Sequence, residues 1–256
     1  MCQKFYPKSI LITGASSGIG KALALRYAKS GIVLHLCGRN ANRLKDVAQM
    51  CQKAGTKVFT YLFDTTDEKA TQKAVQKAHQ NAPLDLVIAN AGVSGGVLGT
   101  DETPVSVRQI MQTNIFGTLN TVLPAIEVMK KRGGQIALVA SLAAYRGMGS
   151  CPAYSASKAC VKAFSEALRG QNKYKNLHFT TICPGFIETP LTDKNRFYMP
   201  FLMKADKAAK IIQTRLEKAP ALIAFPWIMA FGAWLGGALP TWIALPLFSL
   251  FPKKEK

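Results

Sequence analysis

A doubly wound parallel sheet with helices on both faces, a three-layer αβα architecture, is the fold that this chain of 256 residues predicts. Three observations carry it. Short β-branched or apolar runs alternate with longer helical stretches as far as residue 225, a glycine-rich turn joins the first run directly to the first helix, and the runs number seven. In chain order the strands are expected at 9–13, 32–37, 57–63, 85–90, 135–140, 178–183 and 221–225. Each is short enough to be a single strand. The helices are expected between them at 18–30, 42–54, 68–80, 105–132, 153–173 and 204–218, each long enough to cross back over the sheet. Right-handed crossovers make neighbouring strands parallel and place a ligand site at their carboxyl ends. No internal repeat or low-complexity linker interrupts the pattern before residue 219. Residues 1–225 are expected to form one domain and 226–256 an apolar C-terminal extension.

Composition bounds the function. The chain carries 33 Lys and Arg against 14 Asp and Glu, a formal net charge of +19, yet 48% of it is apolar. Disorder requires low hydrophobicity together with high charge, so a disordered polybasic tail is excluded. A nucleic-acid binder would gather its charge on one element. Here ten basic residues and the single acid Asp46 are scattered over residues 1–63, and no basic run is longer than Lys130-Lys131-Arg132. The charge reads as a solvated surface that attracts anions generally, and no nucleic-acid partner is expected. The six cysteines, at 2, 37, 51, 151, 160 and 183, form no C-x-x-C pair, and no histidine stands at metal-ligand spacing, so no metal site is expected. They read as small buried hydrophobes in a reducing compartment. The N-terminal segment has no apolar stretch before a cleavage site, which points to a cytoplasmic protein.

The first strand runs into Thr13-Gly14-Ala15-Ser16-Ser17-Gly18-Ile19-Gly20, and a helix follows at once. Glycine there lets backbone N–H groups approach a pyrophosphate at the positive end of the helix, where a larger side chain would collide. With a second strand ending about twenty residues on, this is the context of a Rossmann-type dinucleotide site, made by Gly14, Ser16, Ser17, Gly18, Ile19 and Gly20. The second strand ends in Leu36-Cys37-Gly38-Arg39-Asn40, with no acid to hold a ribose diol. A carboxylate would repel a 2′-phosphate and Arg39 can pair with one, so NADP(H) is favoured over NAD, the bland alternative being a surface arginine stacked on adenine. Asp64, after the third strand, is placed to reach the adenine ring or to cap the next helix.

Tyr154-Ser155-Ala156-Ser157-Lys158 falls in an expected helix, so Tyr154 and Lys158 share one face a turn apart. A phenol with a pKa near ~10 is a reluctant acid or base at neutral pH, and a neighbouring cation stabilises its phenolate. Thirteen residues upstream, Ser141 follows an apolar strand and would face the crevice at the strand ends.

Together these residues resemble the short-chain dehydrogenase/reductase family. Thr13-Gly-x-x-x-Gly-x-Gly20, Asn90-Ala91-Gly92, Asn114, Ser141, Tyr154-x-x-x-Lys158 and Pro184-Gly185 match its pattern in order and spacing over residues 8–225. The resemblance implies that Tyr154 is the general acid in carbonyl reduction and the base in alcohol oxidation, and that Ser141 orients and polarises the carbonyl. It implies further that Lys158 depresses the Tyr154 pKa and holds the nicotinamide ribose, and that Asn114 holds a water linking Lys158 to solvent. Asn90, with Ala91 and Gly92, would steady the central strand and cofactor pocket, while Pro184, Gly185, Ile187 and Thr189 would meet the nicotinamide. The usual second asparagine is Ala89 in this chain. Such a protein transfers hydride between NADP(H) and a carbonyl or secondary alcohol, and usually works as a homo-oligomer, a dimer or tetramer. A non-catalytic NADP-binding sensor or scaffold of the same fold is the alternative, and such a binder has no need of the four catalytic residues together.

Two segments bear on specificity. Residues 195–203, Asn-Arg-Phe-Tyr-Met-Pro-Phe-Leu-Met, read as a lid of large apolar side chains over an apolar, lipid-like substrate, or as residues packed down on the core. Residues 219–252 hold 34 consecutive uncharged residues and all three tryptophans. A membrane span is not expected, because 221–225 is needed as a strand, Pro226 breaks a helix there, and Pro240, Pro246 and Pro252 divide the rest. Either Trp227, Phe231 and Trp234 dock on a partner subunit or the sheet, or the segment lies on the cytoplasmic face of a membrane as a peripheral anchor flanked by Lys218, Lys253, Lys254 and Lys256. Gly232 and Gly236 are spaced for close helix packing.

Overall fold

Ser9-Ile-Leu-Ile-Thr13 is buried at every residue, as a central strand covered on both faces must be. It is β1 (Ser9–Thr13) in a computed structural model that describes residues 4–94, 102–193 and 198–249. The other strands are β2 (Val33–Gly38), β3 (Lys57–Leu62), β4 (Leu86–Ala89), β5 (Gly134–Val139), β6 (Leu177–Pro184), β7 (Ile187–Glu188), β8 (Met203–Lys204) and β9 (Leu222–Phe225). Seven of them form one sheet in the order β3-β2-β1-β4-β5-β6-β9, every pair parallel. The order reverses between β1 and β4, and this switch point opens the crevice in which the site lies.

Strand alternation divides the core into two layers. Ile10, Ile12, Leu34, Leu36, Leu86 and Ile88 face α1 (Gly18–Tyr27), α2 (Ala41–Lys53) and α7 (Ala205–Leu216). Leu11, Val87, Ile136, Leu138 and Phe179 face α3 (Glu68–Asn81), α5 (Gly117–Met129) and α6 (Pro152–Arg169). The three-layer αβα architecture is thus the one the sequence predicts.

Three local features differ from expectation. The stretch 105–132 is not one regular helix: α4 (Pro104–Met111), capped by Thr103, passes through a π-helical turn at Gln112–Phe116 into α5. Second, the chain after β9 forms α8 (Trp227–Ala238) and then α9 (Thr241–Ser249), and Pro246 lies inside α9 without ending it. Third, a Cβ on Gly232 would meet nothing within 4 Å, whereas one on Gly237 would lie 2.7 Å from the Tyr145 carbonyl oxygen. The close approach of α8 to the body of the protein is at Gly237. Of the segment expected as a lid, residues 195–197 lie outside the described residues, as do Pro252, Lys253, Lys254 and Lys256.

Candidate active site

Two glycines let the chain leave β1 and enter α1 against the loop after β4. Gly14 has φ +65°, a left-handed conformation that costs a side-chain-bearing residue, and a Cβ on Gly20 would lie 2.3 Å from the Gly14 carbonyl oxygen. Asn90 locks the neighbouring strand end, its Nδ2 donating to the Thr13 carbonyl at 2.9 Å and its backbone N–H to Thr13 Oγ1 at 3.0 Å. Ala91 N–H donates to the same hydroxyl at 3.2 Å. Ser17 makes no side-chain capping bond and the first turn of α1 holds no acid. The helix therefore presents its positive end to the cleft that Ser16, Ser17, Gly18 and Ile19 line, which is the shape and charge a pyrophosphate requires.

The end of β2 supplies Arg39, but it is not free. Its Nη1 lies 2.9 Å from Asp64 Oδ2. Partial burial works to raise the Asp64 pKa, but hydrogen bonds from Thr66 and Arg39 outweigh it and hold the carboxyl below its ordinary value. Asp64 does not cap α3; Asp67 does, accepting from the Ala70 N–H at 2.9 Å. Asn40 caps α2 by accepting from the Arg43 N–H, which brings Arg43 into the same cleft as Arg39. Arg43 was not singled out from the sequence, although its place in the first turn after the β2 end was a signal for it.

Across the cleft, α6 carries Tyr154 and Lys158, and Ser141 stands just after β5, its Oγ accepting from the Ala143 N–H at 3.1 Å. Tyr154 is half-buried, and desolvation of its phenol pushes the pKa up to about 12 against a hydrogen bond with Ser141 that lowers it. Lys158 is buried, and desolvation pushes its pKa down to about 8. Its Nζ donates to the Val139 carbonyl at 2.9 Å and stands 5.8 Å from the Tyr154 ring centroid. Burial is the largest influence on both groups in this arrangement, raising the phenol and lowering the ammonium.

Asn114 sits fully buried in the π-helical turn. Its Nδ2 donates to the Val93 carbonyl and to Ser157 Oγ, each at 2.9 Å, and its Oδ1 accepts from the Val93 N–H at 2.8 Å. A Cβ on Gly92 would come within 3.3 Å of both Asn114 Oδ1 and Lys158 Nζ, so these three residues meet at one point. After β6, Pro184, Gly185, Ile187 and Thr189 form the opposite wall, and Thr189 closes over Gly18. A Cβ on Gly185 would meet Pro226 and Met229 at 3.1 and 3.2 Å.

Of the site residues expected from the sequence, all but Gly20, Asp64 and Asn114 line one cleft of about 1660 Å³, whose lining also includes Tyr145, Arg146, Tyr198 and the Met229–Gly236 side of α8. That α8 folds back onto the cleft has no local signal in the sequence: its composition reads as apolar helix and nothing more.

Fold and site define a doubly wound α/β protein with a glycine turn at the switch point and a serine, a tyrosine and a lysine converging on the crevice beside it. The sequence matches the short chain dehydrogenase family over residues 8–198. It is 37% identical over 246 residues, 94% of each chain, to an uncharacterized oxidoreductase of Myxococcus xanthus. It is 31% identical over 194 residues, 75% of this chain and 70% of the other, to a 3beta-hydroxysteroid dehydrogenase of Mediterraneibacter gnavus. The same fold is seen in a short-chain dehydrogenase from Sphingobium yanoikuyae in complex with NADPH, with 22% identity, TM-score 0.78 and coverage of 96% of this chain and 97% of that one. It is seen also in a short chain dehydrogenase/reductase from Burkholderia phymatum in complex with NAD, with 20% identity, TM-score 0.80 and coverage of 90% and 92%. The chain belongs to the short-chain dehydrogenase/reductase family of oxidoreductases.

Proposed function

We propose that the protein is an NADP(H)-dependent oxidoreductase that interconverts a carbonyl and a secondary alcohol on an apolar substrate. The convergence of Ser141, Tyr154 and Lys158 on the cleft that the uncapped α1 N-terminus enters carries this reading. A bound nicotinamide supplies or accepts the hydride. Tyr154 gives its proton to the carbonyl oxygen as negative charge develops there, and Ser141 donates a second hydrogen bond to that oxygen. In alcohol oxidation the same phenol takes the proton back. Lys158, released from Val139, holds the nicotinamide ribose and stabilises the phenolate, and Asn114, held by Val93 and Ser157, fixes the turn beside it.

The preference for NADP(H) rests on Arg39 and Arg43, two cations beside the start of α2 with no acid on β2 itself. A 2′-phosphate competes with Asp64 for the Arg39 guanidinium. The substrate reading rests on the cleft walls, where Leu142, Tyr145, Met148, Leu191, Met229 and Ala233 present apolar surface, and it accords with the relative named as a hydroxysteroid dehydrogenase. Phe116 and Leu123, large and exposed on the α5 side, supply a surface for self-association into a homo-oligomer.

The test is a panel of apolar and soluble ketones with NADPH oxidation followed by absorbance. Turnover is expected with the wild type, and Tyr154→Phe should lower kcat by about a thousandfold while leaving NADPH affinity in place, a loss within the range for a general acid. Turnover unchanged in that variant refutes the assignment of the acid.

A further inference from the structure

An amphipathic surface helix keeps a polar face for water, and a helix that is apolar all round belongs in a core or a membrane. The α8 sequence, Trp-Ile-Met-Ala-Phe-Gly-Ala-Trp-Leu-Gly-Gly-Ala, has no polar side chain, yet only its inner side is covered. Met229, Ala230 and Ala233 pack on the core, and Gly237 seats the helix against Tyr145. On its outer side Trp227, Phe231 and Trp234 are 73%, 58% and 56% exposed. Helix α9 repeats the arrangement: Ala244 is fully buried while Trp242 is 76% exposed, with Leu245 beside it at 58%. All three tryptophans of the chain thus stand outward on two adjoining helices. Such a face calls for a partner.

Charge and length identify it. The face lies within 34 uncharged residues bordered in sequence by Lys218 on one side and Lys253, Lys254 and Lys256 on the other, in a chain of net charge +19. At this face the flanking lysines of a second copy would meet like charge, whereas an anionic leaflet attracts them, so the leaflet is the favoured occupant. At about 1.5 Å per residue α8 is roughly 18 Å long, and no helix among the described residues is long and apolar enough to cross a membrane. Tryptophans on helices of this length suit the headgroup boundary of a bilayer. The same helices wall the cleft from within: Met229, Ala233 and Gly236 of α8 and Leu247 of α9 line it. Tyr198, strongly exposed, and Leu191 continue its apolar rim from the other wall.

We propose that α8 and α9 dock the protein on an anionic bilayer without spanning it, and that the cleft opens beside this platform so that the substrate enters from the lipid phase. The second half rests on the reading of the cleft as a site for apolar carbonyls; the docking itself does not.

The full-length wild type is mixed with phosphatidylcholine vesicles with and without phosphatidylglycerol, pelleted, and its tryptophan emission recorded. Because the only tryptophans are on the face, docking should shift the emission to the blue on anionic vesicles and carry the protein into the pellet, with less of both at high salt. Trp227→Glu, Trp234→Glu and Trp242→Glu together, at sites already in water and with folding checked by melting temperature, should lower partitioning by about tenfold or more. Turnover of a short soluble ketone should persist in this variant while turnover of a vesicle-dissolved long-chain ketone falls. Unchanged emission with recovery in the supernatant overturns the docking. So does a wild-type dimer, present without lipid, that the triple variant dissociates. A wild type that binds vesicles but reduces no carbonyl leaves the docking standing and removes the substrate route. One that reduces ketones without binding vesicles removes the docking, and the lipid route with it, and leaves the proposed carbonyl chemistry standing.

Discussion

In the proposed reading Arg39 stands where the two nicotinamide dinucleotides differ, and its partner in this structure is Asp64 at 2.9 Å. The pair is half exposed, so a surface ion pair of modest strength is all that a 2′-phosphate would have to displace under that reading. Arg39→Ala should weaken NADPH binding by about tenfold to a hundredfold, the equivalent of one hydrogen bond to a charged group, and leave NADH binding nearly unchanged; titration calorimetry with both cofactors measures this. Equal losses would argue against a phosphate contact. At this scale the sequence was legible wherever a residue acts through its own local context. Tyr154 and Lys158 are one helical turn apart, and Ser141 follows its strand. It was not legible where a side chain chooses among partners brought by distant chain, as Lys158 chooses Val139 and Arg39 chooses Asp64.

Strand β2 carries a buried titratable group that the catalytic chemistry does not use. His35 lies between Ser9 Oγ, 3.3 Å from Nε2, and Tyr61 Oη, 3.2 Å from Nδ1, and stacks on Phe59 with centroids 5.3 Å apart. Tyr61 in turn accepts from Asn81 of α3, so one imidazole ties β1, β2, β3 and a helix together. Desolvation lowers its pKa from 6.5 to about 4. The unfolded chain therefore binds the proton more readily, and the stability His35 confers is full above pH ~6.5 and is lost as pH falls toward ~4. Between about pH 7 and pH 5 this is worth roughly 2 kcal/mol. Denaturant unfolding at the two pH values should show the wild type losing about that much more than His35→Gln; equal losses would mean the imidazole is not kept neutral. Elements of this kind were well marked in the sequence, because β-branched runs and glycine turns encode a buried parallel strand locally. The π-helical turn at Asn114 was hidden, since hydrophobic period does not report one extra residue in a turn, and α9 was hidden by Pro246, whose cost neighbouring contacts such as buried Ala244 offset.

Across the whole molecule, the switch point of the sheet places the glycine turn, Arg39 and the Ser141, Tyr154 and Lys158 group around one cleft, and α8 closes its far side. The extension after β9 thus serves as a wall of the site on one face and as exposed apolar surface on the other, which composition alone left as an undivided uncharged tail. The hydride transfer proposed for that cleft can be tested atom by atom. NADPH carrying deuterium at its transferable position is incubated with the enzyme and a ketone from the panel, and the alcohol is analysed by mass spectrometry. Direct transfer predicts one deuterium at the carbinol carbon for each NADPH oxidised, and none in Tyr154→Phe above background. NADPH oxidised without deuterium in the alcohol, or no carbonyl reduced by the wild type, would contradict it.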